Sequence, residues 1–164
     1  MKTLLLLRHA KSSWKNLSLA DHDRPLNSRG KTDAPKMGKF LKTTDLVPDI
    51  ILCSSAKRAK QTIKGFLEEF PFDGEIIFNR SLYHGSTEDF LDVLHNLEDK
   101  INTVMIVGHN PGMEIAIEDL TGHDEFMPTG AIAQLAFRIN RWAELDQDLS
   151  GQLVALWQPR EIEF

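Results

Sequence analysis

The sequence lacks several features that would assign it at once to a class of protein. Its single cysteine, Cys53, excludes an internal disulfide, and its place after the apolar residues 50–52 indicates a small buried side chain. No apolar run approaches the ~18–20 residues of a membrane-spanning helix. The N-terminal leucine run is also shorter than the ~7–15 apolar residues of a secretory signal. We therefore expect a cytoplasmic protein with no membrane partner.

The charge balance and the absence of repeats exclude further classes. The formal net charge is -5, whereas general nucleic-acid binding needs a basic face. A local basic pocket remains compatible with this charge, because it needs only a few cations. No internal repeat, low-complexity tract or linker interrupts the sequence, so we expect one domain over residues 1–164. No histidine, cysteine or carboxylate cluster has metal-ligand spacing, and we expect neither a metal nor another cofactor.

Two apolar runs each end in a histidine. A run of leucines precedes Arg8 and His9, and the run Thr103–Val107 is followed one residue later by His109. Such runs are typical of strands that are buried on both faces in a parallel sheet. Open α/β folds bind ligands at the carboxyl edge of the sheet, so neighbouring strands would bring both imidazoles there. Either histidine alone would be an ordinary polar residue at a strand end, but the pair with nearby arginines indicates a functional site.

Apolar periodicity predicts alternating strands and helices over most of the chain. Strands are predicted near residues 3–8, 49–53, 75–78 and 103–107, and helices are predicted to be capped by Asn27 or Ser28, by Ser54-Ser55 and by Ser86 or Thr87. From residue 130 the period changes to two, which predicts a strand paired with another at residues 153–157. The expected fold is α/β, a three-layer α/β/α sandwich. Its central sheet is mostly parallel, with an antiparallel strand near the C-terminus.

Three positions carry expectations about the helices. Pro35 lacks a backbone donor, so we expect a kink there or a later start of the first helix. Pro111 suits the first position of the helix that follows His109, with Asn110 at or near its cap. Arg58 lies in the first turn of the second helix, where free N–H groups and a guanidinium fork both favour an anion.

Three segments occur in the order found in a known family. Arg8-His9-Ala10 resembles the Arg-His-Gly signature of the histidine phosphatase superfamily, the phosphoglycerate mutase-like group, with alanine in place of glycine. Residues 54–62 resemble its second arginine motif, and residues 108–111 resemble its second histidine motif. Residues 23–30 and the short chain resemble the SixA-like phosphohistidine phosphatases within this superfamily.

This resemblance implies a covalent mechanism with a histidine nucleophile. His9 would attack phosphorus, and water would then hydrolyse the phosphohistidine intermediate without a metal. A neutral imidazole is a competent nucleophile near neutral pH, and the phosphoryl oxygens need preorganised cations and donors. The residues predicted to assist His9 are Arg8, Arg58 and His109 in catalysis and, by resemblance, Arg24 and Asn110 in substrate binding.

The proton donor to the leaving group is not evident. Superfamily members that cleave esters resemble one another in a glutamate after the third strand, whereas residues 79–86 contain no acid. Glu88 and Asp89 are expected to serve a helix N-terminus, and Asp23 and His84 are further candidates. A strong acid matters less when the leaving group is an imidazole than when it is an alkoxide. This favours a phosphoramidate substrate.

The predicted function is therefore removal of a phosphoryl group from a histidine on a protein. The short connection after the third strand leaves little material for a cap, and an open site suits such a substrate. The resemblance implies a phosphorelay partner, such as a histidine phosphotransfer domain. Two alternatives remain: a phosphatase of small phosphate monoesters, and a binding module that lost turnover. For Trp14, both a lid over the site and a plug into the core remain open.

Overall fold

A six-stranded sheet runs through the computed structural model, which describes residues 1–148 and 151–164. Its strands are β1 (Lys2–Arg8), β2 (Ile50–Ser54), β3 (Glu75–Asn79), β4 (Thr103–Gly108), β5 (Ile132–Phe137) and β6 (Gln152–Trp157). The spatial order is β3-β2-β4-β1-β5-β6. The first four strands are parallel, and β5 is antiparallel to both of its neighbours. The predicted α/β fold with one antiparallel strand near the C-terminus is confirmed.

Helices cover both faces of the sheet. Within the described residues the α-helices are α1 (Ser28–Lys42), α2 (Lys57–Glu69), α3 (Thr87–His95) and α4 (Gly112–Thr121). Successive side chains of a strand point to opposite faces, so the leucines of β1 divide between two cores. Leu5 and Leu7 pack with α1 and α2, whereas Leu4 and Leu6 pack with α3 and α4. This is the predicted three-layer sandwich, with β1 buried on both faces.

The strands that end in histidines are neighbours. β1 pairs with β4 so that Arg8 lies opposite Gly108, and the His9 amide donates to the Gly108 carbonyl at 3.0 Å. His9 and His109 consequently leave the sheet side by side at its carboxyl edge. Cys53 is fully buried in β2, as predicted, and burial raises the pKa of its thiol to about 12.

Two predicted helix caps are confirmed. Asn27 is the N-cap of α1, and its side chain accepts a hydrogen bond from the Gly30 amide at 2.9 Å. Ser86 is the N-cap of α3 and forms a reciprocal capping box with Asp89, which explains the acidic residues there.

Three predictions about the helices are wrong. The N-cap of α2 is Ala56 rather than Ser54-Ser55; the Ser54 hydroxyl bonds His109 and the Ser55 hydroxyl bonds His22. α4 begins at Gly112, so Pro111 precedes the helix rather than occupying its first position. The later start of α1, one of the two consequences expected of Pro35, is wrong because α1 begins at Ser28 and contains this residue, whereas a kink at Pro35 stays a prediction. Its ring lies against Gly65 of α2, and this packing stabilises the helix at the point where proline removes a backbone hydrogen bond.

Among the described residues, none of the helices is both long enough and apolar enough to span a membrane.

Candidate active site

A cavity of about 260 Å³ lies at the carboxyl ends of β1 and β4. It is lined by Arg8, His9, Lys11, Ser12, Trp14, Asp21, Arg24, Arg58, His84, His109, Asn110 and Thr129. Every residue predicted for the site therefore borders one cavity. A larger cavity of about 460 Å³, around Asp49 and Glu75, has no histidine or arginine among its described lining residues. The predicted histidines and arginines therefore gather at the smaller of these two cavities.

His9 is held as a neutral imidazole with a defined tautomer. Its Nδ1 lies 2.7 Å from the Ala10 carbonyl oxygen. A carbonyl oxygen can only accept, so we assign the ring hydrogen to Nδ1 and the lone pair to Nε2. Burial lowers the pKa of His9 to about 4, and the nearby Arg58 and Arg8 add to this, while the bond to Ala10 opposes it. His9 is therefore available as a nucleophile at neutral pH.

His109 lies beside His9 and is oriented by Ser54. The two imidazole centroids are 5.1 Å apart, and His109 Nε2 is 2.7 Å from the Ser54 hydroxyl. Ser54 Oγ also accepts from the Ala56 amide at 3.2 Å, so its own hydrogen is available for Nε2. We therefore assign the hydrogen of His109 to Nδ1. Burial, together with His9 and Arg58, lowers the pKa of His109 to about 2, so the ring is neutral and can offer its Nδ1 hydrogen.

Arg8 and Arg58 are anchored at one end and leave a donor unused at the other. Arg8 Nη1 donates to the Met127 carbonyl at 2.9 Å. Arg58 donates to the Asp21 carbonyl at 2.6 Å and to its carboxylate at 2.9 Å. The buried Nε of each arginine and Nδ1 of His109 have no hydrogen-bond partner within the described residues. Buried polar groups without partners are rare in folded proteins, so these donors indicate a site for an anion.

Arg24 is a buried residue of the cavity lining and already has several partners. Its Nε donates to Asp21 at 3.0 Å, and its Nη1 donates to the Ser12 hydroxyl at 2.9 Å. Trp14 covers the guanidinium, with its ring centroid 3.5 Å from Cζ. Because Trp14 is 64% exposed, its interpretation as a plug in the core is wrong. It forms an exposed flat surface at the edge of the cavity instead.

Asp21 is the principal site residue that the sequence analysis missed. Its carboxylate accepts hydrogen bonds from Arg58, Arg24 and the Tyr83 hydroxyl, the last at 2.6 Å. Burial alone would raise the pKa of Asp21, but these bonds outweigh it and hold the pKa well below its usual range. The dense charge of residues 21–24 was the available signal. The 3₁₀ turn at Asp21–Asp23 places Asp21 in the cavity and leaves Asp23 exposed outside it.

Asn110 borders the cavity with its amide hydrogens directed elsewhere. Its Nδ2 donates to Glu114 at 2.7 Å and to the Met127 carbonyl at 2.9 Å. Its Oδ1 accepts from the Glu114 amide at 3.3 Å, so it lies near the cap of α4 as predicted. These bonds hold the segment that carries His109. A contact between Asn110 and the substrate stays a prediction.

His84 lies at the rim of the cavity. Its Nε2 is 3.5 Å from Asp21 Oδ2, and its ring packs on Tyr83 with centroids 4.0 Å apart. The side chain is 58% exposed. Asp89 caps α3, so of the donors considered from sequence, His84 is the one that borders the cavity.

Comparison with known proteins agrees with this geometry. Residues 4–82 match the family model of the histidine phosphatase superfamily, branch 1. An uncharacterized chloroplastic protein of Arabidopsis thaliana is 36% identical over 152 residues, which cover 87% of this chain and 70% of that protein.

Two solved structures assigned as the phosphohistidine phosphatase SixA have the same fold over nearly their whole length. The protein from Nakamurella multipartitia superposes with a TM-score of 0.85 at 25% identity, covering 96% of each chain. The protein from Agrobacterium tumefaciens gives 0.82 at 28% identity, covering 96% of this chain and 98% of that one.

The fold and the paired histidines at the sheet edge define a phosphatase, and the chain belongs to the histidine phosphatase superfamily. Within that superfamily it is SixA-like, which agrees with the order and spacing of its motifs.

Proposed function

We propose that this protein removes the phosphoryl group from phosphohistidine on a protein, through a covalent phosphohistidine intermediate on His9. The observation that carries the proposal is the set of three unpartnered buried donors, on Arg8, Arg58 and His109, beside a neutral imidazole. Arg8, Arg58 and His109 line the same cavity as His9, so a phosphoryl group bound there would lie beside all four side chains. Fixed donors of this kind stabilise the charge that a transferring phosphoryl group carries.

The first step transfers the phosphoryl group to the enzyme. The lone pair of His9 Nε2 forms a bond to phosphorus while the bond to the leaving group breaks, and the leaving group takes that electron pair and a proton. The ring of His9 then carries positive charge, which the hydrogen bond from Nδ1 to the Ala10 carbonyl stabilises. In the second step, water attacks phosphorus, and the P–N bond breaks to restore the lone pair of Nε2.

Three observations favour a phosphohistidine on a protein over a small ester. The chain is SixA-like. The cavity is open, with Trp14 and His84 exposed at its rim. Between β3 and β4 the described chain forms only a 3₁₀ turn at Arg80–Leu82 and the nine-residue helix α3, which leaves the approach to the cavity uncovered. A leaving imidazole also makes the weakest demand on a proton donor, because its far ring nitrogen can carry the proton.

The test compares two substrates with the wild type and two variants. The substrates are a phosphorylated histidine phosphotransfer domain and glycerol phosphate, and the variants are His9→Ala and His123→Ala. His123 lies exposed after α4, away from the cavity, and serves as the matched control. We expect rapid phosphate release from the protein by wild type and by His123→Ala, and none by His9→Ala.

The other outcomes separate the alternatives. Preference for glycerol phosphate would mean a phosphatase of small monoesters. If neither substrate turns over but phosphate still binds, the cavity belongs to a binding module. Turnover by His9→Ala at the wild-type rate would exclude His9 as the nucleophile.

A further inference from the structure

The proposed reaction needs a group that moves protons at the open side of the cavity. His9 and His109 do not supply it, because His9 is the nucleophile and His109 holds a phosphoryl oxygen. We infer that His84 gives a proton to the leaving group and takes one from the attacking water. This inference rests on the proposed function and assigns a further catalytic residue to it.

The other candidates near the cavity are already committed. Asp21 accepts three hydrogen bonds, and its low pKa keeps it ionised, so it has no proton to give. The Tyr83 hydroxyl donates its hydrogen to Asp21. Glu114 lies outside the cavity lining and accepts from Asn110 and from the Met127 amide. Histidine is the side chain best suited to give and take a proton near neutral pH.

The backbone of His84 is itself unusual. It has a φ of 56°, and within the described residues it is the only non-glycine residue with a positive φ. This left-handed conformation costs about 1 kcal/mol or more for a residue with a Cβ. Strain of this kind persists where surrounding structure fixes it, often at functional sites. Here the packing against Tyr83 fixes the ring at the rim of the cavity.

The contact of His84 with Asp21 and its exposure to solvent both suit a residue that transfers protons. Because His84 Nε2 faces Asp21 at 3.5 Å, Nδ1 remains for the leaving group. A side chain that is 58% exposed can also exchange its proton with solvent between turnovers. The centroids of the His84 and His109 rings are 6.0 Å apart, so His84 lies at the same end of the cavity as the second histidine.

The proton transfers balance over one turnover. In the first step, protonated His84 gives its proton to the bridging oxygen of an ester, or to the far nitrogen of an imidazole, as the bond to phosphorus breaks. His84 is then neutral. In the second step it accepts a proton from water as the water oxygen bonds phosphorus, and the protonated state is restored when phosphate forms.

The leaving group provides the test, because a good leaving group needs little help from an acid. The probes are aryl phosphates from 4-nitrophenyl to phenyl phosphate, and the readout is kcat/KM, which reports transfer to His9. The variant is His84→Asn, since asparagine tolerates a positive φ. We expect it to lower kcat/KM by about 100-fold for phenyl phosphate and by less than about threefold for 4-nitrophenyl phosphate.

Controls separate this inference from the proposed function. His123→Asn should leave the whole series unchanged. If His84→Asn does not fold, the same series is measured with His84→Gly, because glycine also adopts a positive φ without strain. Equal effects of either His84 variant on all probes, or no effect, would overturn the inference while wild-type turnover still supports the phosphatase. If wild type turns over none of the probes nor a phosphohistidine protein, the proposed function itself fails.

Discussion

Burial next to arginines determines the chemistry of individual residues in this cavity. A histidine in water is partly protonated near neutral pH, and its protonated form is no nucleophile. Removing His9 from water beside Arg8 and Arg58 disfavours the charged ring and lowers its pKa to about 4. The same arginines that would bind the phosphoryl group therefore help burial to keep the proposed nucleophile neutral.

This arrangement predicts that stability falls on acidification. The unfolded chain binds a proton at His9 below about pH 6.5, whereas the folded protein does so only near pH 4. Between these values the unfolded state binds more protons, so the free energy of unfolding decreases as the pH falls. From pH 7 to 5, His9 should account for a loss of about 2 kcal/mol.

Urea unfolding of wild type, His9→Gln and His123→Gln at both pH values measures this contribution. The His9 variant should lose about 2 kcal/mol less than the other two proteins. Equal losses in all three would show that His9 is not held neutral by the fold.

Ser54 gives a second prediction at the scale of one residue. Without its hydroxyl, His109 Nε2 is buried unpaired, and the hydrogen on Nδ1 is no longer fixed. We expect Ser54→Ala to lower kcat/KM by about 10- to 100-fold, less than the full loss of an oxyanion donor. It should also destabilise the protein by about 1–3 kcal/mol.

The control for Ser54→Ala is Ser86→Ala, which removes the cap of α3 outside the cavity. That variant should lose about 1 kcal/mol of stability with unchanged kcat/KM. A matching loss of activity in both variants would mean that stability alone, and not the orientation of His109, explains the effect.

At the scale of elements, sequence periodicity predicts most of the fold. The leucines of β1 and the apolar run of β4 predict central strands of a parallel sheet, because both faces of each strand are buried. The polar residues that follow each run mark the carboxyl edge of the sheet. The resemblance of short motifs to a known family adds the arginines to the predicted site. Local pattern therefore suffices wherever a residue's role follows from its own element.

Residues whose partners are distant in sequence could not be predicted in this way. Ser54 looks like a helix cap, yet its hydroxyl bonds His109 on another strand. Asp21 and Asp23 look alike in a charged turn, and Asp21 differs in its hydrogen bonds to Arg58 and Tyr83, which are distant in sequence. Pro35 conflicts with a helix locally but is accommodated by α2.

The close contact of α1 with α2 is the basis of a third prediction. A Cβ at Gly38 would overlap the Phe66 carbonyl oxygen, so the two helices would have to separate. Overpacking typically costs about 1–3 kcal/mol, and here it opposes the gain of about 1 kcal/mol that alanine brings to a helix. Because the clash is with backbone rather than with a flexible side chain, we expect the upper end of that cost, about 3 kcal/mol, and hence a net destabilisation of about 2 kcal/mol by Gly38→Ala.

Gly122→Ala is the comparison for Gly38→Ala. Gly122 ends α4 with a φ of +76°, and a Cβ at this position would meet no atom of the described residues within 4 Å, so only backbone strain is introduced. Denaturant unfolding should show a loss of about 1 kcal/mol. A larger loss at Gly122 than at Gly38 would contradict the close packing of α1 on α2.

At the scale of the whole molecule, the charges of surface and cavity oppose each other. The formal net charge is -5, so the protein as a whole repels a phosphate ion. The cavity nevertheless gathers Arg8, Arg24 and Arg58, with Asp21 as the carboxylate among its described lining residues. Affinity for an anion therefore depends on local donors rather than on net charge.

Two arginine variants separate the local effect from the global one. Arg58→Ala and Arg138→Ala change the net charge by the same amount, but Arg138 follows β5 at the opposite edge of the sheet from the cavity. Phosphate that binds only the folded state should stabilise wild type by about 2.7 kcal/mol at 100 times its Kd. We expect Arg138→Ala to retain this stabilisation.

Arg58→Ala should lose most of the stabilisation, because the variant lacks the unused Nε donor and leaves the Asp21 carboxylate without its guanidinium partner, free to repel the ion. Each charged hydrogen bond contributes about 1.5–3 kcal/mol, so phosphate affinity should fall by about 10- to 100-fold or more. Thermal unfolding across a phosphate titration at constant ionic strength measures this directly. If both variants lose the same stabilisation by phosphate, binding depends on net charge and the cavity is not the phosphate site. If Arg58→Ala retains the stabilisation, Arg58 is not part of the anion site.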